Sequence, residues 1–202
     1  MGLQRPLQAS GVAWYVGIPG SGKTTLATAH AAELVRRKGW PVVCIDSQGV
    51  AQLASIPRVA SPRDVVEHAW RLRRHCAFIP ESDEDVRSIA RAALTTGRVV
   101  LLIDEAAYWL TAHDRHSPLL RLMRAHRHAN VCILLTTQHL SGDVPQEALA
   151  CAPVLHVFRC ESPAALERLE RDYRIPPERI ASLPRGHFLR IETGFPDSEK
   201  RT

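Results

Sequence analysis

The chain is poor in aromatic residues, which make up 5% of its 202 positions, so a core must rest on Leu, Val, Ile and Ala. Lysine is almost absent: Lys23, Lys38 and Lys200 stand against a large arginine complement. No apolar run has the length of a bilayer-spanning helix, and the amino terminus lacks a signal-peptide pattern, so neither a membrane domain nor a secretory leader is expected. The five cysteines are an odd count with no C-x-x-C pair, and three sit in strand-like apolar runs as buried thiols, which fits a reducing interior and no structural zinc. Ten histidines are present, yet His126, His128 and His139 have no cysteine or carboxylate at metal-ligand spacing. Repeats and low-complexity tracts are missing. The net charge of +5 is only moderately basic; it permits nucleic-acid binding without requiring it, and an Ala-, Arg- and Pro-rich composition also fits a GC-rich genome.

What the chain does have is a complete G-x-x-x-x-G-K-[ST] loop at residues 17–24, Gly-Ile-Pro-Gly-Ser-Gly-Lys-Thr. An apolar run, Val12 to Val16, precedes it, and a helix-forming stretch from Thr24 to Arg37 follows. That order separates a phosphate loop from a chance glycine-rich turn. The nucleotide-binding residues are read as Gly17, Pro19, Gly20, Ser21, Gly22, Lys23, Thr24 and Thr25. Loop N–H groups and the helix N-terminus make an anion nest, Lys23 reaches the β- and γ-phosphates, and the Thr24 hydroxyl ligates Mg²⁺. The loop implies binding of a nucleoside triphosphate, ATP.

Residues 98–105, Arg-Val-Val-Leu-Leu-Ile-Asp-Glu, read as a central parallel strand buried on both faces and ending in carboxylates. Asp104 is the expected Mg²⁺ partner at the carboxyl end of that strand, where open α/β sheets bind ligands. Glu105 is read as the base that polarises water; the competing reading makes it the first-turn carboxylate of a following helix. A second buried run, Val131 to Leu135, ends in Thr136-Thr137-Gln138. The Gln138 amide then contacts the γ-phosphate and attacking water, or merely caps a loop.

Strands are expected near 12–16, 41–45, 76–79, 98–103, 131–136, 153–159 and 187–191, alternating with helices as a mainly parallel sheet requires. Ser61-Pro62, Ser117-Pro118 and Ser162-Pro163 each give an N-cap followed by proline, and Gly97 ends a helix over 83–96. The region 46–60 is left without an assignment. The expectation is a single domain over 1–202 with an ordered core of about 11–193. On the helix near 118–128, Arg121, Arg124 and His128 form a basic stripe with Arg127 beside it, opposite Leu119, Leu122, Met123 and His126. This stripe is either a solvated face or a source of arginine for a neighbouring subunit's nucleotide. A second cluster, Arg71-Leu72-Arg73-Arg74-His75, closes an earlier helix.

Taken together, the loop, Ile103-Asp104-Glu105-Ala106, Arg127-His128-Ala129-Asn130 and Leu134-Leu135-Thr136-Thr137-Gln138 resemble the FtsK–HerA superfamily of DNA-pumping ATPases. The likeness is closest to the small genome-packaging ATPases of double-stranded DNA viruses with an internal membrane. It covers residues 13–191, including Leu183 to Leu189. The resemblance implies an α/β RecA-like (ASCE) P-loop fold with the Thr-Gln strand between the loop strand and the Asp-Glu strand. It also implies a homo-oligomeric ring, hexamer or pentamer, around double-stranded DNA, with Arg127 as trans-acting finger and Gln138 as polar sensor. A capsid or portal-vertex protein is a further implied partner, and the host cytoplasm or the virion the implied location. The family often has Gly where Asn130 stands and a basic residue, frequently Arg, where His139 stands.

An ATP-driven DNA motor is therefore the leading function. A small-molecule kinase remains open, for which an arginine-bearing lid and no Glu after the Asp are expected. So does an ATP-driven assembly or secretion factor that moves protein. Arg71, Arg73, Arg74 and Arg115 are the residues expected to meet DNA phosphates in a ring lumen.

Overall fold

A computed structural model describes residues 11–47, 55–110, 116–140 and 144–192. The polar ends of the chain, Arg115 and residues 48–54 of the unassigned 46–60 stretch lie outside the described residues.

The apolar runs become strands because each is buried along its whole length. β1 (Val12–Val16), β2 (Val42–Ile45), β3 (Cys76–Phe78), β4 (Val99–Ile103), β5 (Val131–Thr137) and β6 (Val154–Phe158) are buried at every position. β7 (Phe188–Glu192) is half-buried. The seven strands pair in the order β3-β2-β4-β5-β1-β6-β7, all parallel except β7, which runs antiparallel to β6 at the edge. β5 thus lies between β1 and β4. The sequence boundaries shift by a residue or two; β4 begins after Arg98, whose left-handed backbone (φ 52°) donates its N–H to the Asn130 carbonyl instead.

Alternate strand residues feed two cores. One face carries Trp14, Ile45, Leu101, Ile103, Ile133 and Leu135 beneath α3 (Asp83–Thr96), α4 (Pro118–Ala129) and the shorter helices α2 (Pro62–Val66), α5 (Gln146–Ala150), α6 (Pro163–Tyr173) and α7 (Pro177–Ala181). The other carries Tyr15, Cys44, Val100, Leu102 and Leu134 beneath α1 (Lys23–Lys38), which inserts Ala27, Ala31 and Leu34. Small residues on α1 let it lie close on the sheet.

Helix starts follow the serine signals with one difference. Ser61 caps α2 by accepting the Asp64 N–H at 3.2 Å, whereas Ser117 and Ser162 precede their prolines without a side-chain cap. Ser82, not anticipated, forms a reciprocal capping box with Asp85 at the start of α3. Gly97 ends α3 at φ 64°, and a Cβ there would sit 2.0 Å from the Ala129 carbonyl oxygen, so no other residue fits. α4 stops at Asn130, which takes the left-handed cap (φ 54°, ψ 50°) in place of glycine. Among the described residues the cysteines are free, and no helix is long and apolar enough to cross a membrane.

Candidate active site

The sheet order sets Gly17, Asp104 and Gln138 side by side, because β4, β5 and β1 are neighbours in register: Ile103 lies beside Leu135, and Thr137 beside Val16. Between β1 and α1 the loop is tied to both flanking strand ends. The Gly17 N–H donates to the Thr137 carbonyl at 3.1 Å and the Ile18 N–H to the Arg159 carbonyl at 2.9 Å. A Cβ on Gly17 would meet Phe158 Cβ at 2.7 Å, so the loop can pass this closely only as glycine. Lys23 opens α1 and is buried; its ammonium donates to the Ile18 carbonyl at 3.1 Å, inside the loop. Burial lowers its pKa, while the Glu105 and Asp104 carboxylates pull the other way. Ser21 Oγ is buried with no hydrogen-bond partner among the described residues.

Asp104 and Glu105 follow β4 and are both buried. Asp104 Oδ1 accepts a 2.6 Å bond from the Thr136 hydroxyl, and that hydroxyl accepts the Glu105 N–H at 3.3 Å. Burial raises the Asp104 pKa, Thr136 opposes the rise, Glu105 and Asp46 add to it, and Lys23 opposes it. Glu105 itself has left-handed backbone (φ 49°, ψ 49°) and precedes a single 3₁₀ turn, Ala106–Tyr108, rather than an α-helix. A non-glycine residue in this region is strained, and such strain concentrates at functional sites. Its Oε2 accepts the Gln138 N–H at 3.0 Å. Gln138 is half-buried, and its side-chain amide has no hydrogen-bond partner among the described residues. His139 is exposed; its backbone closes a small turn with the Thr137 hydroxyl.

The loop, Lys23, Asp104, Glu105 and Gln138 therefore converge. Arg127 does not join them. It lies in the last turn of α4, exposed, at the edge where β5 begins, roughly 20 Å from the loop by the strand rise. Arg124, its neighbour on the stripe, is paired with Glu147 of α5. Arg71, Arg73 and Arg74 are exposed at that same amino-terminal edge of the sheet, Arg71 in an ion pair with Glu67 at 3.1 Å.

Two residues beside the loop escaped the sequence reading. Thr136 ties the Asp104 carboxylate to the Glu105 backbone, a role visible only once β5 is set next to β4. Arg185, from the stretch before β7, donates from Nε to the Gly20 carbonyl at 2.9 Å, and the adjacent Gly186 N–H donates to the Ser21 carbonyl at 3.1 Å.

The family model for the ATPase family associated with various cellular activities (AAA) matches residues 14–157. No curated protein matches the chain by sequence. Among solved structures, the genome packaging NTPase B204 from Sulfolobus turreted icosahedral virus 2, in complex with AMPPCP, superposes with a TM-score of 0.75 at 19% identity, covering 93% of this chain and 94% of that one. B204 from Sulfolobus turreted icosahedral virus, described as a DNA-packaging ATPase, gives 0.69 at 20% identity over 91% and 92%. The pCW3 conjugation coupling protein TcpA gives 0.59 at 14% identity over 92% of this chain and 58% of that one. The chain belongs to the ATPase family associated with various cellular activities, and its fold is that of a RecA-like P-loop ATPase.

Proposed function

We propose that this protein hydrolyses ATP to drive double-stranded DNA, and specifically that it packages a viral genome into a preformed capsid. The observation that carries the reading is the convergence on one sheet edge of the phosphate loop, Lys23, the Asp104–Glu105 pair and Gln138. The likeness in fold to a genome-packaging NTPase over nearly the full length of both chains supports the choice of cargo.

In this reading the loop N–H groups and Lys23 hold the polyphosphate. Among the described residues no cluster of His, Cys, Asp or Glu could cage a metal alone. A hydroxyl and one buried carboxylate suit Mg²⁺, which completes its shell with phosphate oxygens and water, so Thr24 and Asp104 would hold it. Bound there, the ion supplies charge neutralisation for the phosphates. Glu105, held by the Gln138 N–H, takes the proton from the attacking water, and the Gln138 amide contacts the γ-phosphate. Arg127 is too far to serve its own loop and acts on a neighbouring subunit's nucleotide, which requires a ring. Exposed arginines at the amino-terminal sheet edge, Arg73 and Arg74 among them, supply phosphate contacts for DNA, and a capsid or portal-vertex protein receives the ring.

Arg185 at the loop is a feature that a kinase lid would share, but Glu105 after Asp104 favours water as acceptor. The decisive measurement is ADP production without any added acceptor, with and without linear double-stranded DNA. Acceptor-independent hydrolysis accelerated by duplex DNA is the expected result. A rate that saturating DNA leaves unchanged removes DNA as the cargo, and a strict need for a small-molecule acceptor removes the ATPase motor.

A further inference from the structure

The stretch before β7 is bonded to the phosphate loop at consecutive positions. Arg185 Nε donates to the Gly20 carbonyl at 2.9 Å, a contact between residues 165 positions apart, and Gly186 N–H donates to the Ser21 carbonyl at 3.1 Å. A turn holds the pair in place: His187 N–H returns to the Pro184 carbonyl at 3.0 Å, and Gly186 sits at φ 79°. With Nε fixed on a carbonyl, the guanidinium keeps its remaining Nη donors for another partner. No carboxylate pairs with Arg185 among the described residues, whereas Arg58, Arg71, Arg124, Arg159 and Arg190 are each in an ion pair.

The side chain also stands between two cavities. One, of about 500 Å³, is walled by Thr24, Thr25, Leu26, Phe158 and Phe188; the other, of about 290 Å³, by Ile18, Pro19 and Arg159. The larger is of the size that receives small ligands, with apolar walls on one side and the start of α1 on the other. An unpaired, partly fixed guanidinium at the rim of an anion nest has one chemically matched occupant, a phosphate group, which arginine binds through parallel N–H···O bonds.

We propose that Arg185 is a phosphate-binding residue of the chain's own nucleotide site, acting in cis, and that the cavity beside it takes the nucleoside. The inference rests on the reading of the loop as a nucleotide site. It differs from Arg127 in supplying positive charge within one subunit, so it operates without a neighbour. The stretch 184–188 thereby becomes a wall of the site rather than a connection to an edge strand.

Binding of non-hydrolysable ATP analogue, ADP and AMP to the full chain tests this, using wild type, Arg185→Ala, Arg185→Lys and, as a loop control, Lys23→Ala. Arg185→Ala is expected to lose roughly ten- to a hundredfold in affinity, the range of a charge-assisted contact, with the melting temperature of the nucleotide-free protein unchanged. Arg185→Lys recovers part of the loss. The shortest nucleotide to show the loss identifies the phosphate held. Wild-type affinity in Arg185→Ala overturns the inference while leaving the nucleotide site intact. So does a loss matched by a lower melting temperature, which marks a structural tie to the loop. If the wild-type protein itself binds none of the three, the underlying nucleotide-site reading falls, and this inference with it.

Discussion

The Glu105 carboxylate accepts the backbone N–H of Gln138 at 3.0 Å, joining the end of β4 to the end of β5 across the floor of the candidate site. Glu105 reaches that position from left-handed backbone, so the carboxylate and the strand that carries Gln138 share one geometry. A displacement of the Gln138 backbone would therefore move the donor that holds the Glu105 carboxylate.

Lys23→Ala and Glu105→Gln should separate binding from cleavage. Lys23 places charge against the phosphates in the ground state, so its loss abolishes nucleotide binding. Glu105→Gln keeps an acceptor oxygen for the Gln138 N–H but loses the proton acceptor, so ATP binds and turnover falls by about 10²–10⁴. Nucleotide affinity and single-turnover hydrolysis measured on both variants check this. Near-normal turnover in Glu105→Gln would remove the assignment of the base.

Asp104 carries a linked prediction. Burial raises its pKa, so between its unfolded and folded values the folded protein holds a proton that the unfolded chain has released. Stability of the nucleotide-free protein from this group therefore falls as pH rises through that window. Asp104→Asn removes the component, and its melting temperature relative to wild type should climb from acid to neutral pH while Mg²⁺-dependent activity is lost. Thr136→Val, which deletes the 2.6 Å bond to Oδ1, should raise the Mg²⁺ concentration needed for half-maximal activity. A pH-independent stability difference for Asp104→Asn contradicts the buried, proton-holding carboxylate.

Strands β1 to β6 were legible because parallel strands covered on both faces leave unbroken apolar runs, and each such run from Val12 to the 153–159 stretch became a strand. Their order was not contained in those runs; the position of β5 between β1 and β4 followed from the family resemblance. α5 and α7 went unread because five residues span too few turns to show a helical period. Thr136 and Arg185 were invisible for a different reason. Their partners Asp104 and Gly20 lie 32 and 165 positions away, and nothing local in the sequence distinguishes either residue from an ordinary strand threonine or loop arginine. The left-handed Glu105 backbone likewise depends on the bonds that β5 offers it. The arginine stripe of α4 was readable by periodicity, but only the fold shows that Glu147 engages Arg124.

That difference sharpens the prediction for a neighbour's site. Arg121 and Arg127 are exposed without an ion-pair partner among the described residues, whereas Arg124 is held by Glu147; of the two, Arg127 is the one the family resemblance makes the finger for a second subunit. A finger of this kind is worth roughly 10³–10⁵ in rate. Arg127→Ala and Glu105→Gln are each expected to be inactive, and mixing them should restore part of the activity at interfaces that pair an intact Glu105 with an intact Arg127. Hetero-rings verified by mass spectrometry that stay as inactive as their parents would show that Arg127 has no trans role.

The layer under α1 carries a prediction for stability in acid. His156 stacks on Tyr15 with ring centroids 4.8 Å apart, packs edge-on against Phe188 and faces His30, whose Nδ1 is 2.6 Å from the Tyr15 hydroxyl. Burial above all, with His30 and the Arg190 guanidinium adding repulsion, lowers the His156 pKa to about 3. Its folded value is thus below its unfolded one, so between roughly pH 6.5 and 3 the unfolded chain binds a proton that the folded protein refuses. The stability this group contributes is complete above that window and drains as pH falls through it, by roughly 1.4 kcal/mol per pH unit for a single proton. His30 shifts in the same direction, with burial first among its causes, and adds to the slope. His156→Phe keeps an aromatic ring against Tyr15 and cannot take up the proton. Its unfolding free energy in urea should therefore fall less than that of wild type between pH 7 and pH 5. Equal losses in the two proteins would place the acid sensitivity elsewhere, and the buried carboxylates near Lys23 would be the next groups to test.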